Sequence, residues 1–567
     1  MNRYLPSKLL YQRIILLCSL TLAFNGQANN DIQNLTLKNN CSKQNIHFKR
    51  NTIFDEQDKD ILFFHRWVNA LHITTKQITL KNEAAFFLKK CHKTEHDLAE
   101  LERHLRGRKF IRDAKVTTDA SLNNITVETW DNWSLMPTFS YGRKGGVNTY
   151  SVGIKDRNLL GLGIDAQLQS FSNAQRSGYK LDTTVPLFLQ KNTELILRIA
   201  DNNDGKQNAL FINKAFAGLD TDYAYSIGFN DEKRSDTLFQ NGQTLASFRH
   251  NIAYKTVNYS WLSQSFYNDQ THSDDKLRYS IGITQNRNVF SPSEPTLNNK
   301  EGLSSLSFPL LLTNLTSARA KFLPQNRDFI YPWFKVEYIE QNFKKLTNIH
   351  LVTQIEDFNF GWHISAQLGI ADGKKANSAW ALWRSNISKG FSIGDKSLAL
   401  VNFYLASDIY NDRDNRILAR SDAELFYNLS DNLSFYLANT TILSQQQYVD
   451  QPITLGGESG MRGFPLQYQH GKNSTKFTAE LRYYPHINLY KLFELAGATF
   501  IDVGKASGAS LATNIDNGWL YSIGIGARIY STHASEGRVV HIDLVKPFSD
   551  NPDLNGFEIR FQGKETF

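Results

Sequence analysis

Beyond its first two dozen positions the chain has no run of about eighteen apolar residues, the length a membrane-crossing helix needs, so helical spans are excluded. Cysteine and methionine are scarce, three of each in 567 residues. No nucleophile–base pair, glycine-rich phosphate loop or compact set of metal ligands stands out, and the chain reads as a non-enzyme without a cofactor. His92 and His96 are helix-spaced near Cys91, but no ligand set surrounds them. Charge of one sign is not concentrated either. The net +8 is scattered along the chain, which argues against nucleic acid as a partner and leaves a polyanionic lipid surface open. What the chain does have is aromatic side chains, 12% of all residues, and long stretches that alternate apolar with polar. That combination suits a β-rich protein with aromatic girdles.

Residues 1–28 have the make-up of a secretory signal. Lys8 and Arg13 form its basic part, Ile14 to Phe24 its apolar part, and Gly26-Gln27-Ala28 a small-residue cleavage site. The apolar run is too short for a membrane anchor. Cys18 lies inside it, and Leu17 is too large for a lipoprotein signal. Export leaves Cys41 and Cys91, which either close one disulfide or remain two thiols.

Residues 31–132 read as a small α+β module. A helix fits Asp55–Leu71 and a strand Ile73–Leu80. Thr94 and Asp97 form a capping box ahead of Leu98, Leu101 and Leu105 at helical spacing, and Gly107 is a stop. Two strands follow near Ala114–Thr118 and Ile125–Trp130, with Asn123-Asn124 at the turn. From 134 to 567 the pattern is strands and turns. Stretches such as Ala419–Leu425, Tyr521–Ile529 and Phe557–Gln562 carry charges at period two on one face. A packed sandwich core would reject those charges, whereas the wet lumen of a membrane barrel accepts them. Strands in lipid must also close on themselves, because nothing there satisfies an open edge. The fold class expected is an all-β transmembrane barrel with an even number of strands, sixteen to twenty, preceded by the α+β module.

Between two of those strands, within 445–472, lies Gly456-Gly457-Glu458-Ser459-Gly460-Met461-Arg462-Gly463-Phe464. By composition alone it is a surface loop with a chance arginine. Two later strands change that. Glu480 shares a face with Thr478 and Arg482, and Asp502 lies on the face opposite Ile501 and Val503, so both carboxylates point into the lumen. A loop folded inward brings Arg462 to either, and a guanidinium matches a carboxylate bidentately.

The Arg-Gly-Phe loop, the glutamate on the next strand and the Phe-x-Asp-x-Gly strand together resemble the superfamily of BamA, TamA and the two-partner-secretion transporters. These are outer-membrane barrels with periplasmic POTRA modules that insert or translocate proteins. The resemblance places a loop anchor on Arg462, Gly463, Phe464, Glu480, Asp502 and Gly504. It also makes 31–132 a single POTRA-like module, where relatives carry two or more. Five strands should follow the loop, and the terminal Phe567 matches an outer-membrane signal, although Glu565 departs from it. The implied location is the outer membrane of a Gram-negative bacterium, with the module in the periplasm. The implied partners are an unfolded outer-membrane or secreted protein, outer-membrane lipid, and periplasmic or accessory lipoproteins. A passive pore on the same scaffold is the alternative.

Overall fold

The computed structural model describes residues 45–564 apart from 58, 60, 92, 120–123, 145–146, 264–274, 294–321, 353, 374–377, 458, 535–538 and 555. The expected signal at 1–28, Cys41, Glu458 and the terminal Phe567 lie outside the described residues.

The N-terminal module is a three-stranded sheet under helices. Asn45–Asn51 runs parallel to the central strand Asn124–Asp131, whose other neighbour, Ile111–Thr118, is antiparallel. The helix Glu95–Arg106 begins at the Thr94–Asp97 capping box, in which each side chain takes the other residue's backbone N–H, and stops at Gly107. Its Leu98, Leu101 and Leu105 pack on Ile111, Ala114, Ile125 and Val127 to make the module's core.

Two elements differ from expectation. The β-branched stretch Ile73–Leu80 is no strand. Its second half enters a helix, Gln77–Glu83. Its backbone groups are used elsewhere: Thr75 N–H and Oγ1 both donate to Asp131, and Lys76 N–H donates to Gly161 O. Thr79, Leu80 and Glu83 are buried at helical spacing, and that tertiary demand overrides the strand preference of β-branched residues. The helix expected over Asp55–Leu71 starts only at Phe63, because Asp55 caps a turn through Gln57 N–H. The first strand lies earlier, at Asn45–Asn51.

The rest is a closed antiparallel barrel of twenty strands, from Leu135–Lys144 to Glu558–Lys564. Period-two alternation sorts the side chains. On the sixteenth strand, Asn473–Leu489, Phe477, Leu481 and Tyr483 face outward while Thr478, Glu480 and Arg482 are buried inside. On the seventeenth, Phe493–Ser507, Ile501 faces out and Phe500 and Asp502 face in. An apolar outer belt around a charged lumen, with every strand paired, is the arrangement lipid demands, so this is a transmembrane barrel. Fifteen strands precede the Arg-Gly-Phe loop and five follow it. Since the first strand starts at the module, that loop sits at the far end. The seventh and eighth strands, Tyr223–Gln240 and Gln243–Ser263, have 18 and 21 residues and overhang the far rim.

Candidate functional site

The loop between the fifteenth strand, Leu433–Gln445, and the sixteenth folds back into the lumen. A short hairpin, Ile453–Leu455 with Gln469–Gly471, forms its neck. Beyond the neck Met461, Phe464 and Tyr468 pack with Leu455, Ala506 and Leu520, which gives the loop an apolar core against the barrel wall. Gly463 holds a left-handed φ of 83° that a side chain would strain. Gly504 leaves the gap into which the loop fits, since a Cβ there would meet Met461 Sδ at 2.9 Å.

That frame aims Arg462 at the wall. Nε and Nη2 donate to the two oxygens of Asp502 at 2.6 and 2.7 Å, and Nη1 donates to Glu480 at 2.9 Å. The guanidinium also lies over the Phe500 ring, 3.3 Å from its centroid. Arg462 is 4% exposed and Asp502 0%, so both charges are out of water and depend on each other. Thr478 Oγ1 supplies Asp502 with a further bond at 2.8 Å. The six anchor residues expected from the sequence thus meet in one place.

Glu480 is shared. Its second oxygen accepts from Arg482 Nε at 3.1 Å, and Arg482 Nη1 reaches Ile349 O at 2.9 Å. Ile349 belongs to the long turn 340–362 at the module end, between the tenth strand, Arg327–Ile339, and the eleventh, His363–Ile370. This turn also folds inward. Tyr484 OH donates to Asn348 O, His350 meets Glu424, and Val352 packs with Tyr484, Ala498 and Tyr530. One carboxylate on one strand therefore joins the plug from the far end to the plug from the near end.

A second tie holds the far loop. Asp450 accepts two bonds from Arg327, at 2.8 and 2.7 Å, and Tyr448 OH donates to Asp408. Across the mouth, the tip of the seventh–eighth hairpin leans onto the same loop. Asn241 N–H donates to Tyr468 O, Phe239 N–H to Gln467, and Gln240 and Asn241 bond the 508–519 turn.

The module sits against the near-end turns. Thr79 Oγ1 donates to Gly161 O, Asn192 to Asn82 O, and Leu219 N–H to Glu100. His65 bonds Tyr490 O, and Phe54 stacks on His533 at 4.6 Å. Arg106 grips Asp357 of the inward turn with two bonds, at 3.0 and 2.8 Å. Burial, then repulsion from Arg112 and His65, lowers His533 to about 3. Burial opposes ionisation of Glu102, but bonds from Lys345 and Arg106 outweigh it and hold its carboxyl below the usual range. Among the described residues Asp97, Glu100 and Asp220 are close enough to share a cation. Lys90 already bridges Asp97 and Asp220, and Lys276 pairs with Asp220. Cys91 is disulfide-bonded.

Sequence reading missed Arg482, the Arg327–Asp450 tie and the Arg528–Asp543 pair beside the anchor, at 2.6 Å. Arg482 was legible as an inward charge two residues after Glu480. The Arg528–Asp543 pair depends on which strands are neighbours, and the Arg327–Asp450 tie on where the far loop folds.

No family model matches the chain, and no curated protein matches it. Among solved structures it is similar to CdiB from Escherichia coli, at 11% identity and a TM-score of 0.45 over 92% of this chain and 76% of that one. It is also similar to BamA from Haemophilus ducreyi lacking POTRA domains 1–3, at 11% identity and 0.36 over 92% and 83%. The FrpB iron transporter from Neisseria meningitidis matches at 9% and 0.38 over 81% and 86%. None of these likenesses bears on function.

Proposed function

We propose that this chain is an outer-membrane barrel of the superfamily of BamA, TamA and the two-partner-secretion transporters, and that it inserts or translocates proteins. The observation that carries the reading is the buried Arg462–Asp502–Glu480 contact at the tip of an inward-folded loop. A permanently open pore has no use for a charged lock inside its own lumen, whereas a barrel that must open for a polypeptide and close behind it does.

In this reading the far end faces the exterior and the module lies in the periplasm as a POTRA-like domain. An unfolded outer-membrane or secreted chain adds to the module's sheet as an extra strand. The loop then shifts from its lock, and the barrel either conducts the chain or opens in its wall. Outer-membrane lipid surrounds the apolar belt, and periplasmic or accessory lipoproteins are further candidate partners. No catalytic step is assigned.

Depletion of the protein, followed by quantification of outer-membrane and secreted proteins, tests this. Selective loss of one or a few of them is expected. An unchanged protein profile together with constitutive conductance in planar bilayers would return the barrel to a passive pore.

A further inference from the structure

The module helix Phe63–Leu71 is apolar on two faces. One is used inside the protein. His65, Val68 and Asn69 are buried, and Val68 packs with Ile53 and Phe54 of the module, with Leu492 of a near-end barrel turn at the edge of that cluster. His65 pins the helix to the same turn. Its Nδ1 accepts from Leu62 N–H at 3.0 Å, so Nε2 carries the proton and donates to Tyr490 O at 2.7 Å.

The second face is bare. Phe63, Trp67 and Leu71 recur every fourth residue, stacked along one side of the helix, and are 85%, 59% and 52% exposed. A helix facing water carries polar residues there. One exposed leucine needs no explanation, but a row of three large apolar side chains marks a contact surface.

That row runs into the barrel's outer belt. Phe64, at its margin, meets the Phe63 ring at 5.9 Å and the Tyr490 ring edge-on at 6.2 Å. Tyr490 is in the turn that joins Leu489 to Phe493, and these two, paired across their strands, are exposed on the outer surface with Ile487. The charge around the helix has one sign. Between Ile61 and Asn82 there is no acidic residue, while Arg66, Lys76 and Lys81 are exposed.

We propose that the Phe63–Leu71 helix is embedded in the membrane leaflet on the module's side, with Phe63, Trp67 and Leu71 among the acyl chains and Arg66 at the anionic headgroups. Continuity with the lipid-facing belt selects lipid as the occupant. The basic, acid-free flank and the exposed tryptophan are what an interfacial helix carries. The inference needs the barrel to sit in a membrane and does not need it to handle proteins. The module is then held twice, by the barrel rim through His65 and by the leaflet through the opposite face of the same helix.

The test uses the full-length protein in nanodiscs of phosphatidylethanolamine with a minor share of phosphatidylglycerol. Ala70 is exposed beside the row, so Ala70→Cys carries an environment-sensitive dye and leaves the row intact. Spin labels on lipid acyl chains should quench this dye as strongly as the same dye at Leu489→Cys, and aqueous iodide should not reach it. A dye at Lys115→Cys, exposed on the module's sheet, should show the reverse. Trp67→Ser with Leu71→Ser should return the Ala70 dye to water. Arg66→Gln should lower the ratio of inserted to free helix about fivefold, the worth of one basic residue at an anionic surface. Free quenching of the Ala70 dye by iodide would put the row in water and overturn the proposal. Protection from both quenchers would also overturn it, because the cover would then be protein, a second copy or the chain's own N-terminal segment. An Arg66→Gln protein with unchanged quenching would refute the headgroup contact.

Discussion

Replacing Asp502 by alanine should release the far loop without unmaking the barrel. The substitution removes both strong bonds to Arg462, at 2.6 and 2.7 Å, and leaves a guanidinium that is 4% exposed with one bond, to Glu480. Arg482 and Arg528 are close by, so the orphaned charge stays in a basic neighbourhood. Losing one partner of a buried ion pair costs about 3–5 kcal/mol, which lowers the ratio of docked to released loop by a factor of roughly 150 to 5,000. Glu480→Ala removes one bond to Arg462, at 2.9 Å, and one to Arg482, at 3.1 Å, so it should loosen the near-end turn as well as the far loop. The wall is paired throughout by backbone bonds, so both variants should insert and keep the slower migration of heated samples on gels. In planar bilayers Asp502→Ala and Arg462→Ala should shift conductance strongly and lose transport, and the double variant should resemble either single one. Strictly additive effects, or a fully active Arg462→Ala protein, would show that loop position does not depend on this contact.

Gly504→Val should displace the same loop by contact alone, because a Cβ there meets Met461 Sδ at 2.9 Å and Leu455 Cδ1 at 3.1 Å, and its conductance should resemble that of Arg462→Ala. Peptide mapping without reduction should find Cys91 linked to Cys41. Cys91→Ser should destabilise the module by roughly 3–4 kcal/mol, the amount expected for a loop of about fifty residues, as read by protease sensitivity. Module docking should weaken on acidification. His533 has a lowered value of about 3 when docked, so its contribution is fully present above its ordinary 6.5 and fades as pH falls toward 3. The protection of Phe63–Leu71 amides, taken relative to the intrinsic exchange rate at each pH, should fall between pH 7.5 and 5, and His533→Gln should reduce that fall. What remains in the variant belongs to the buried His104, whose value is lowered by burial and so fades in the same direction.

The barrel and the inward-facing carboxylates were readable because both rest on local pattern, whereas the folding of the 445–472 loop onto them was only implied by a family resemblance. Alternation tells which residues face inward, and Glu480 and Asp502 are two members of that inward set. The capping box at Thr94 is equally local, four residues that carry their own geometry. The failure at Ile73–Leu80 has the opposite cause. Its β-branched residues prefer strand, yet Thr75 and Lys76 lose their backbone groups to Asp131 and Gly161, both far along the chain. The Arg327–Asp450 tie and the Arg106–Asp357 grip were invisible for a related reason. They join segments 123 and 251 residues apart, and nothing at either end announces the other.

The overhanging seventh–eighth hairpin gives the barrel a property its ladder lacks. A hoop of twenty paired strands has a fixed circumference but no fixed outline, and it can flatten along any diameter. The hairpin tip bonds the turn between the seventeenth and eighteenth strands, ten positions round the ring, and so spans the mouth as a chord. A chord resists stretching far better than it resists buckling. The rim therefore cannot elongate along that line, but it can draw in along it and bulge at right angles. A channel braced in this way deforms along one axis, and that axis is set by the chord rather than by whatever pushes from within.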